Sequence, residues 1–294
     1  MSWANKFSKP YRVDHGKKFR LKDYDPADTA KLQSEEHAQE LLAKGITRMA
    51  ELQDKLYAQN HWGVLLIFQA MDAAGKDGVI KHVMTGVNPQ GCQAYSFKAP
   101  SAQEQDHDYL WRNVQCLPGR GRIGLFNRSH YEEVLIVRVH PELLANEKIP
   151  QQLVTKNIWD ERFEDICAWE HYLSRNGFLI RKFFLNVSKK EQKKRFLDRL
   201  DQPEKNWKFS TNDLHERERW DDYQSAYEDM IARTSAPHAP WFVIPADNKW
   251  FTRLAVAAAI VDALEDLDLS YPKVDPGRKK ELEAAKKTLS QKKS

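Results

Sequence analysis

One run of nine residues, Gly63-Val-Leu-Leu-Ile-Phe-Gln-Ala-Met71, limits the choice of fold more than any other stretch of the chain. It is continuously apolar up to Gln69 rather than alternating, which suits a strand buried on both faces. Such a strand needs a helical layer on each side of its sheet. A Gly-containing loop follows at once, and Gly78 to Met84 then carries a helical pattern. Strand, glycine loop and helix make a unit whose parallel neighbours are reached by right-handed crossovers.

The rest of the chain repeats that alternation. Further strands are predicted at Cys92–Phe97, Arg122–Phe126, Phe178–Leu185 and Trp241–Ile244. Helices are predicted from Ser34 to about Gln59, where Leu41, Leu42, Ile46, Met49, Leu52 and Leu56 recur at three- and four-residue steps, and from Gln151 to Leu173, where Trp159, Phe163, Ile166 and Leu173 line one side. Three more run from Ser188 to Leu200, Thr211 to Arg233 and Lys249 to Leu267. The pattern predicts a single α/β domain over 31–270, a three-layer α/β/α arrangement with a parallel central sheet. Residues 1–30 mix Lys, Arg, Asp and Pro without a period and read as an extended arm over the surface. Residues 271–294 form a Lys-rich tail, a solvated or frayed helix.

Composition removes several classes of function. No apolar stretch approaches the ~18 residues of a membrane span, and Met1 to Phe19 has no apolar core behind its basic residues. Cys92, Cys116 and Cys167 are too few and too scattered for a disulfide framework or a zinc site, which fits a reduced, cytoplasmic setting. The 46 basic and 42 acidic residues leave a net charge of only +4, so attraction for an anion has to be local.

The loop Ala70-Met-Asp-Ala-Ala-Gly-Lys-Asp-Gly78 provides one such place. Successive backbone amides and the start of a helix present partial positive charge to phosphate oxygens. Gly75 lets the backbone approach, and Lys76 adds a full charge. The loop departs from the usual P-loop pattern in two places: Ala70 stands where the first glycine is expected, and Asp77 replaces the Ser or Thr that usually holds Mg2+. Asp72 is a third oddity. A carboxylate beside polyphosphate repels it unless a cation intervenes, so Asp72 implies a bridging Mg2+ or an acceptor phosphate held at a set distance.

A second segment, Gly121-Arg-Ile-Gly-Leu-Phe-Asn-Arg-Ser-His-Tyr-Glu-Glu133, begins as an apolar strand and ends in polar groups. In P-loop enzymes a second strand brings a carboxylate toward the metal. Here it brings Asn127, a weak ligand without charge. The planar, permanently charged fork of Arg128 suits a phosphoryl group in transfer, or else an ion pair with Glu132 or Glu133 that orders a helix start. Glu132 is near enough in sequence to share the site. His130 reads as packed or surface rather than catalytic.

A third segment is basic. Residues 189–208 hold eight basic side chains against four acidic ones, an excess of four that equals the net charge of the whole protein. Lys189, Lys190, Lys193 and Lys194 read as a solvated helix face. Arg195 and Arg199, four residues apart on one face, and Lys208 read as ligand contacts.

Taken together, the Asp-Ala-Ala-Gly-Lys loop, the Asn127-Arg128-Ser129 segment and Asp201-Gln-Pro-Glu-Lys-Asn-Trp-Lys-Phe-Ser210 resemble the family-2 polyphosphate kinases, in that family's order and over about residues 60–265. These are P-loop phosphotransferases related in fold to thymidylate kinase. The Asn127–Glu132 variant resembles the subgroup called class III, which accepts nucleoside mono- and diphosphates. The resemblance implies reversible, Mg2+-dependent transfer of a terminal phosphoryl group from inorganic polyphosphate to AMP or ADP. It carries over Asp72, Lys76, Asn127, Arg128 and Glu132 as catalytic residues, with Asp72 the first choice of metal ligand and Glu132 bearing on acceptor choice. Ala73, Ala74, Gly75, Lys76 and Lys81, with Arg128, Arg195, Arg199 and Lys208, are the expected phosphate contacts. The segment 189–215 becomes a helical lid, within which Trp207 either stacks on a purine or pins the lid. The implied partners are polyphosphate and AMP, ADP, ATP or other purine nucleotides, without DNA or a membrane, in a homo-oligomer. Two other readings use the same residues: an ATP-dependent nucleoside monophosphate kinase, and a non-catalytic polyanion-binding module.

Overall fold

The computed structural model describes residues 2–32 and 34–291. The chain opens with helix α1 (Trp3–Ser8) and the short strand β1 (Arg12–Val13), then reaches helix α2 (Glu35–Gln59), whose first turn is capped by the Ser34 hydroxyl accepting from His37 N. Strand β2 (Gly63–Gln69), buried along its whole length, leads through the glycine loop into α3 (Lys76–Val83). Strand β3 (Cys92–Ser96) and the short helices α4 (Ala102–Gln105) and α5 (Trp111–Gln115) precede β4 (Ile123–Asn127). After the short α6 (Ile136–Val139) come α7 (Ile158–Arg175), β5 (Phe178–Asn186) and α8 (Lys189–Leu200). The chain closes with α9 (Asn212–Glu218), α10 (Trp220–Thr234), β6 (Trp241–Pro245), α11 (Lys249–Glu265) and α12 (Pro276–Gln291).

Among the described residues the sheet has six strands in the order β1-β6-β5-β2-β4-β3. All pair in parallel except β1, which lies antiparallel on the edge of β6. The expected parallel sheet is therefore mostly parallel. Successive strands leave β2 first toward β4 and β3 and later toward β5 and β6, so the order reverses at β2. In open α/β sheets, ligands bind outside the carboxyl ends of the strands at such a point. Register matters here: Phe68 of β2 lies opposite Asn127 of β4, so the loops after the two strands emerge side by side.

Helices cover both faces. Buried Lys182 of β5 donates to Glu170 Oε2 of α7 (2.6 Å) and to Thr234 O at the end of α10 (2.7 Å), which fixes α7 and α10 on one face. On the other, α11 packs against β5, β6, α1, α2 and α3. Twelve of its side chains from Phe251 to Leu264 are buried, so it is apolar nearly all round, as a helix enclosed by neighbours must be. Among the described residues no helix is long and apolar enough to cross a membrane.

Three sequence expectations change. The segment 1–30 is not an extended surface arm: Trp3, Phe7 and Tyr11 recur every four residues, and Phe7 and Tyr11 pack edge-on against Phe251 of α11. The charged residues between them hid that periodicity. The helix predicted over Gln151–Leu173 begins at Ile158, because Thr155 Oγ1 accepts from Asn157 N and closes a turn just before it. The helix predicted over Thr211–Arg233 breaks at Arg219; Trp220 turns into the core while α9 buries none of its residues. The tail is helical from Pro276 to Gln291 and exposed through Ser290, and 292–294 lie outside the described residues.

Candidate functional site

The loop after β2 turns back over the end of the sheet through two left-handed residues, Ala73 (φ +61°) and Gly75 (φ +106°). Gly75 is the residue before α3, and at that φ a side chain costs about 1 kcal/mol or more. Lys76, the first residue of α3, folds back into the loop, and its ammonium donates to Ala70 O at 2.6 Å. Burial pushes Lys76 down to about 8; the nearby Arg128 guanidinium adds to the fall, against the opposing carboxylates of Asp72, Glu132 and Asp77.

The adjacent loop after β4 is held by Arg128 N donating to Phe68 O of β2 (3.0 Å). Arg128 is itself left-handed (φ +63°), a conformation that costs an ordinary residue on the order of 1–3 kcal/mol and concentrates at functional sites. The turn swings its guanidinium onto Asp72, with Nη2 2.9 Å from Oδ1. Burial lowers the pKa of Arg128, but Glu132 and Asp72 more than restore it, so it stays charged. Glu132 accepts from the buried Gln69 amide at 2.9 Å. Asn127 donates to Asp77 Oδ1 at 2.6 Å. Asp77, in place of the usual Ser or Thr, and Asn127, in place of the usual carboxylate, are thus partners, with the carboxylate on the helix side and the amide on the strand. Asp72, Lys76, Asn127, Arg128 and Glu132 come together, as expected of a site.

Three cavities lie along these two loops. The first, about 320 Å³, lies between the loop and the segment 199–208 and is lined by Ala73, Ala74 and Gly75 on one side and by Arg199, Lys205 and Lys208 on the other. Arg195, Lys249 and Arg253 add further positive charge, against the lone acid Asp198. The second, about 270 Å³, holds Asp72, Arg128, Glu132, Asp213 and Glu216, together with Tyr223 and Tyr227. Burial, with Asp72 close by, raises the pKa of Asp213. The third, about 240 Å³, shares Arg128 and Glu132 but is otherwise walled by Phe97, Pro100, Ile136, Val137 and Leu143, with Arg112, Glu133 and Glu147 also lining it. Burial and the neighbouring Glu147 raise Glu133.

The chain matches the family model "Polyphosphate kinase 2 (PPK2)" over residues 31–272. The chain belongs to the polyphosphate kinase 2 family. It is 53% identical over 276 residues to a Rhodopseudomonas palustris protein named ADP-polyphosphate phosphotransferase, covering 94% of this chain and 96% of that one. To a Meiothermus ruber protein named AMP/ADP-polyphosphate phosphotransferase it is 44% identical over 273 residues, 92% of this chain and 98% of that one. Its structure superposes on the crystal structure of polyphosphate kinase 2 from Arthrobacter aurescens with a TM-score of 0.87 at 40% identity, over 97% of this chain and 99% of that one.

Within this polyphosphate kinase 2 fold, several expected contacts sit differently. Arg195 is buried and directs its guanidinium to Ala73 O (3.2 Å), Ala74 O (2.7 Å), Ala246 O (2.6 Å), Asp247 O (3.1 Å) and Glu191 Oε1 (2.9 Å). It braces the loop while also lining the basic cleft. Lys81 is exposed on α3, a turn past the loop, and lines none of the three cavities. Trp207 is 78% exposed, with its indole N–H on Glu204 O and Lys208 over its ring, so it anchors its own turn. Lys189, Lys190, Lys193 and Lys194 lie exposed, as a solvated face should. His130 is buried edge-on to Trp169, and burial lowers its pKa.

Other groups escaped the sequence reading. Lys249 and Arg253 stand one turn apart at the start of a helix that reads as core; two cations four residues apart in an apolar helix were the available signal. The apolar pocket of 97–100 and 136–147 left no such signal, because its walls come from separate loops.

Proposed function

We propose that this chain transfers the terminal phosphoryl group of inorganic polyphosphate to ADP and AMP, reversibly, as the names of its two relatives suggest. The observation that carries the proposal is the arrangement of the cavities along one loop. Ala73, Ala74 and Gly75 line a basic cleft, while Asp72 of the same loop lines a central cavity that shares Arg128 and Glu132 with a pocket walled largely by apolar groups. A linear polyanion suits the cleft, where six cations face one acid. A nucleoside suits the apolar pocket, since small-molecule pockets are mostly apolar with a few placed polar groups.

Phosphoryl transfer asks a protein to align the reactants and to neutralise charge on the equatorial oxygens. Lys76 and the first-turn amides of α3 would grip the phosphates at the reacting centre. Arg128, already charged and aimed at Asp72, would stabilise the phosphoryl group in flight. Glu132, held by Gln69 and lining both the central cavity and the apolar pocket, would limit how many phosphates an acceptor can carry. That role suits an enzyme of the class III kind.

Among the described residues no group of three or more His, Cys, Asp or Glu side chains stands ready to hold a metal ion. That fits Mg2+, which takes one or two carboxylates and completes its shell with water and substrate phosphates. Asp72 would hold it, with Asp213 lining the same cavity. Bound there, Mg2+ would shield two polyanions from one another. The test offers purified protein ADP and Mg2+, with polyphosphate or with no donor. ATP formed only with polyphosphate supports the proposal; comparable ATP without it would mean disproportionation of ADP, and none in either arm would refute it.

A further inference from the structure

Three consecutive carbonyls of the loop, those of Asp72, Ala73 and Ala74, turn toward α8. Gln192 Nε2 donates to Asp72 O at 3.0 Å, and Arg195 Nη1, one turn later on the same face, takes Ala73 O and Ala74 O. A carbonyl left facing the cavity would repel phosphate, so these bonds keep the loop's polarity right for an anion. Gln192 has a second partner. Its Oε1 accepts from Arg217 Nη1 at 2.7 Å, and the same nitrogen donates to Lys189 O at 2.9 Å. Arg217 belongs to α9, which buries none of its residues and whose Asp213 and Glu216 line the central cavity.

Gln192 is only 1% exposed, and both ends of its amide are used. Its orientation is unambiguous, because a flip would set the NH2 against a guanidinium and the oxygen against a carbonyl. The side chain is therefore a directed link: α9, Arg217, Gln192, Asp72 backbone, and from the Asp72 carboxylate to Arg128. Arg195, by contrast, ties the loop to 246–247 and to Glu191 of its own helix.

We propose that Gln192 is a positioning residue that transmits the placement of α9, through Arg217, to Asp72 at the reacting centre. The proposal rests on the phosphotransfer reading above. A link of this kind makes the catalytic geometry of the loop depend on where α9 stands, so removing it slows the chemical step more than it weakens substrate binding.

The test is a mutant cycle on full-length protein, with kcat and KM measured for ADP under saturating polyphosphate. Gln192→Met removes both bonds at similar volume. Gln192→Glu keeps the acceptor for Arg217 but sets a carboxylate oxygen against Asp72 O. Arg217→Met cuts only the α9 side, on a half-buried side chain whose loss leaves the core intact. The expected result is a fall in kcat of about tenfold in each Gln192 variant, and of severalfold in Arg217→Met, with KM changed by less than about threefold. The double variant Gln192→Met/Arg217→Met should be no slower than Gln192→Met alone, and Arg217→Lys, which can still reach Gln192 Oε1, should recover most of the rate. Additive losses, or full kcat in Arg217→Met, would overturn the proposal. So would variants that lose only melting temperature while kcat per folded molecule holds. If a Gln192 variant fails to fold, the Arg217 pair decides. A wild-type protein with no polyphosphate-dependent ATP formation defeats the phosphotransfer reading itself, whereas an active wild type with indifferent variants defeats only this link.

Discussion

Raising the pH removes the proton from Lys76 in the substrate-free protein, and the structure says where that begins. Its ammonium is buried under the loop with a single carbonyl partner, Ala70 O, and a guanidinium nearby, so it titrates at about 8 rather than near its ordinary 10.5. With that value, about 90% of molecules carry the charge at pH 7 and about 9% at pH 9. If only the charged form seats the phosphates, kcat/KM falls about tenfold over this interval, equivalent to about 1.4 kcal/mol. The sign follows from the direction of the shift: affinity for a polyanion is full below the lowered pKa and is lost as pH rises through it. Bound phosphates add negative charge beside Lys76 and push its pKa back up, so the alkaline fall in kcat should lie at higher pH than the fall in kcat/KM. The assay is initial-rate ATP formation from ADP, Mg2+ and polyphosphate at pH values from about 6 to about 10, alongside Lys76→Arg. Arginine does not deprotonate in this range, so its weaker activity should lack the alkaline limb. A flat kcat/KM to pH 9 in the wild type, or the same limb in Lys76→Arg, would refute the reasoning.

Other outcomes follow from the same geometry. Asp72→Ala should lose transferase activity by about a hundredfold or more, while its half-exposed pair with Arg128 contributes no more than about 1 kcal/mol to stability; near-wild-type turnover, or an unfolded variant, would contradict this. Glu132→Asn is expected to alter the ratio of AMP to ADP turnover with activity retained, and equal losses on both acceptors would argue against a part in acceptor choice. Arg195→Met strands four buried carbonyls and should cost roughly 3 kcal/mol in urea unfolding. An unchanged unfolding midpoint with a raised polyphosphate KM would return Arg195 to the phosphate contacts.

Much of the site was legible because its parts are local. The apolar strand, the glycine and the lysine lie within fourteen residues, and a strand, turn and helix of that composition can be formed only one way round. The same holds for the segment ending in Arg128. Asp77 and Asn127 show the limit. Each reads alone as a missing metal ligand, and only the register of β2 against β4 makes them a hydrogen-bonded pair. Arg195 shows another. Its place in a basic run says phosphate, and it does line the basic cleft, but only the folded packing shows that its guanidinium is also tied to the loop carbonyls.

From the residues alone come the layered α/β class, the phosphate loop with Asp72 and Lys76, and the arginine that serves it, since local composition dictates backbone conformation and charge. Folding decided which of the basic side chains face the cleft, that Lys249 and Arg253 join them, that the first residues pack under α11, and that Gln192 ties α9 to the loop. Those outcomes depend on contacts between segments far apart in the chain, whose partners no local pattern of residue types can specify.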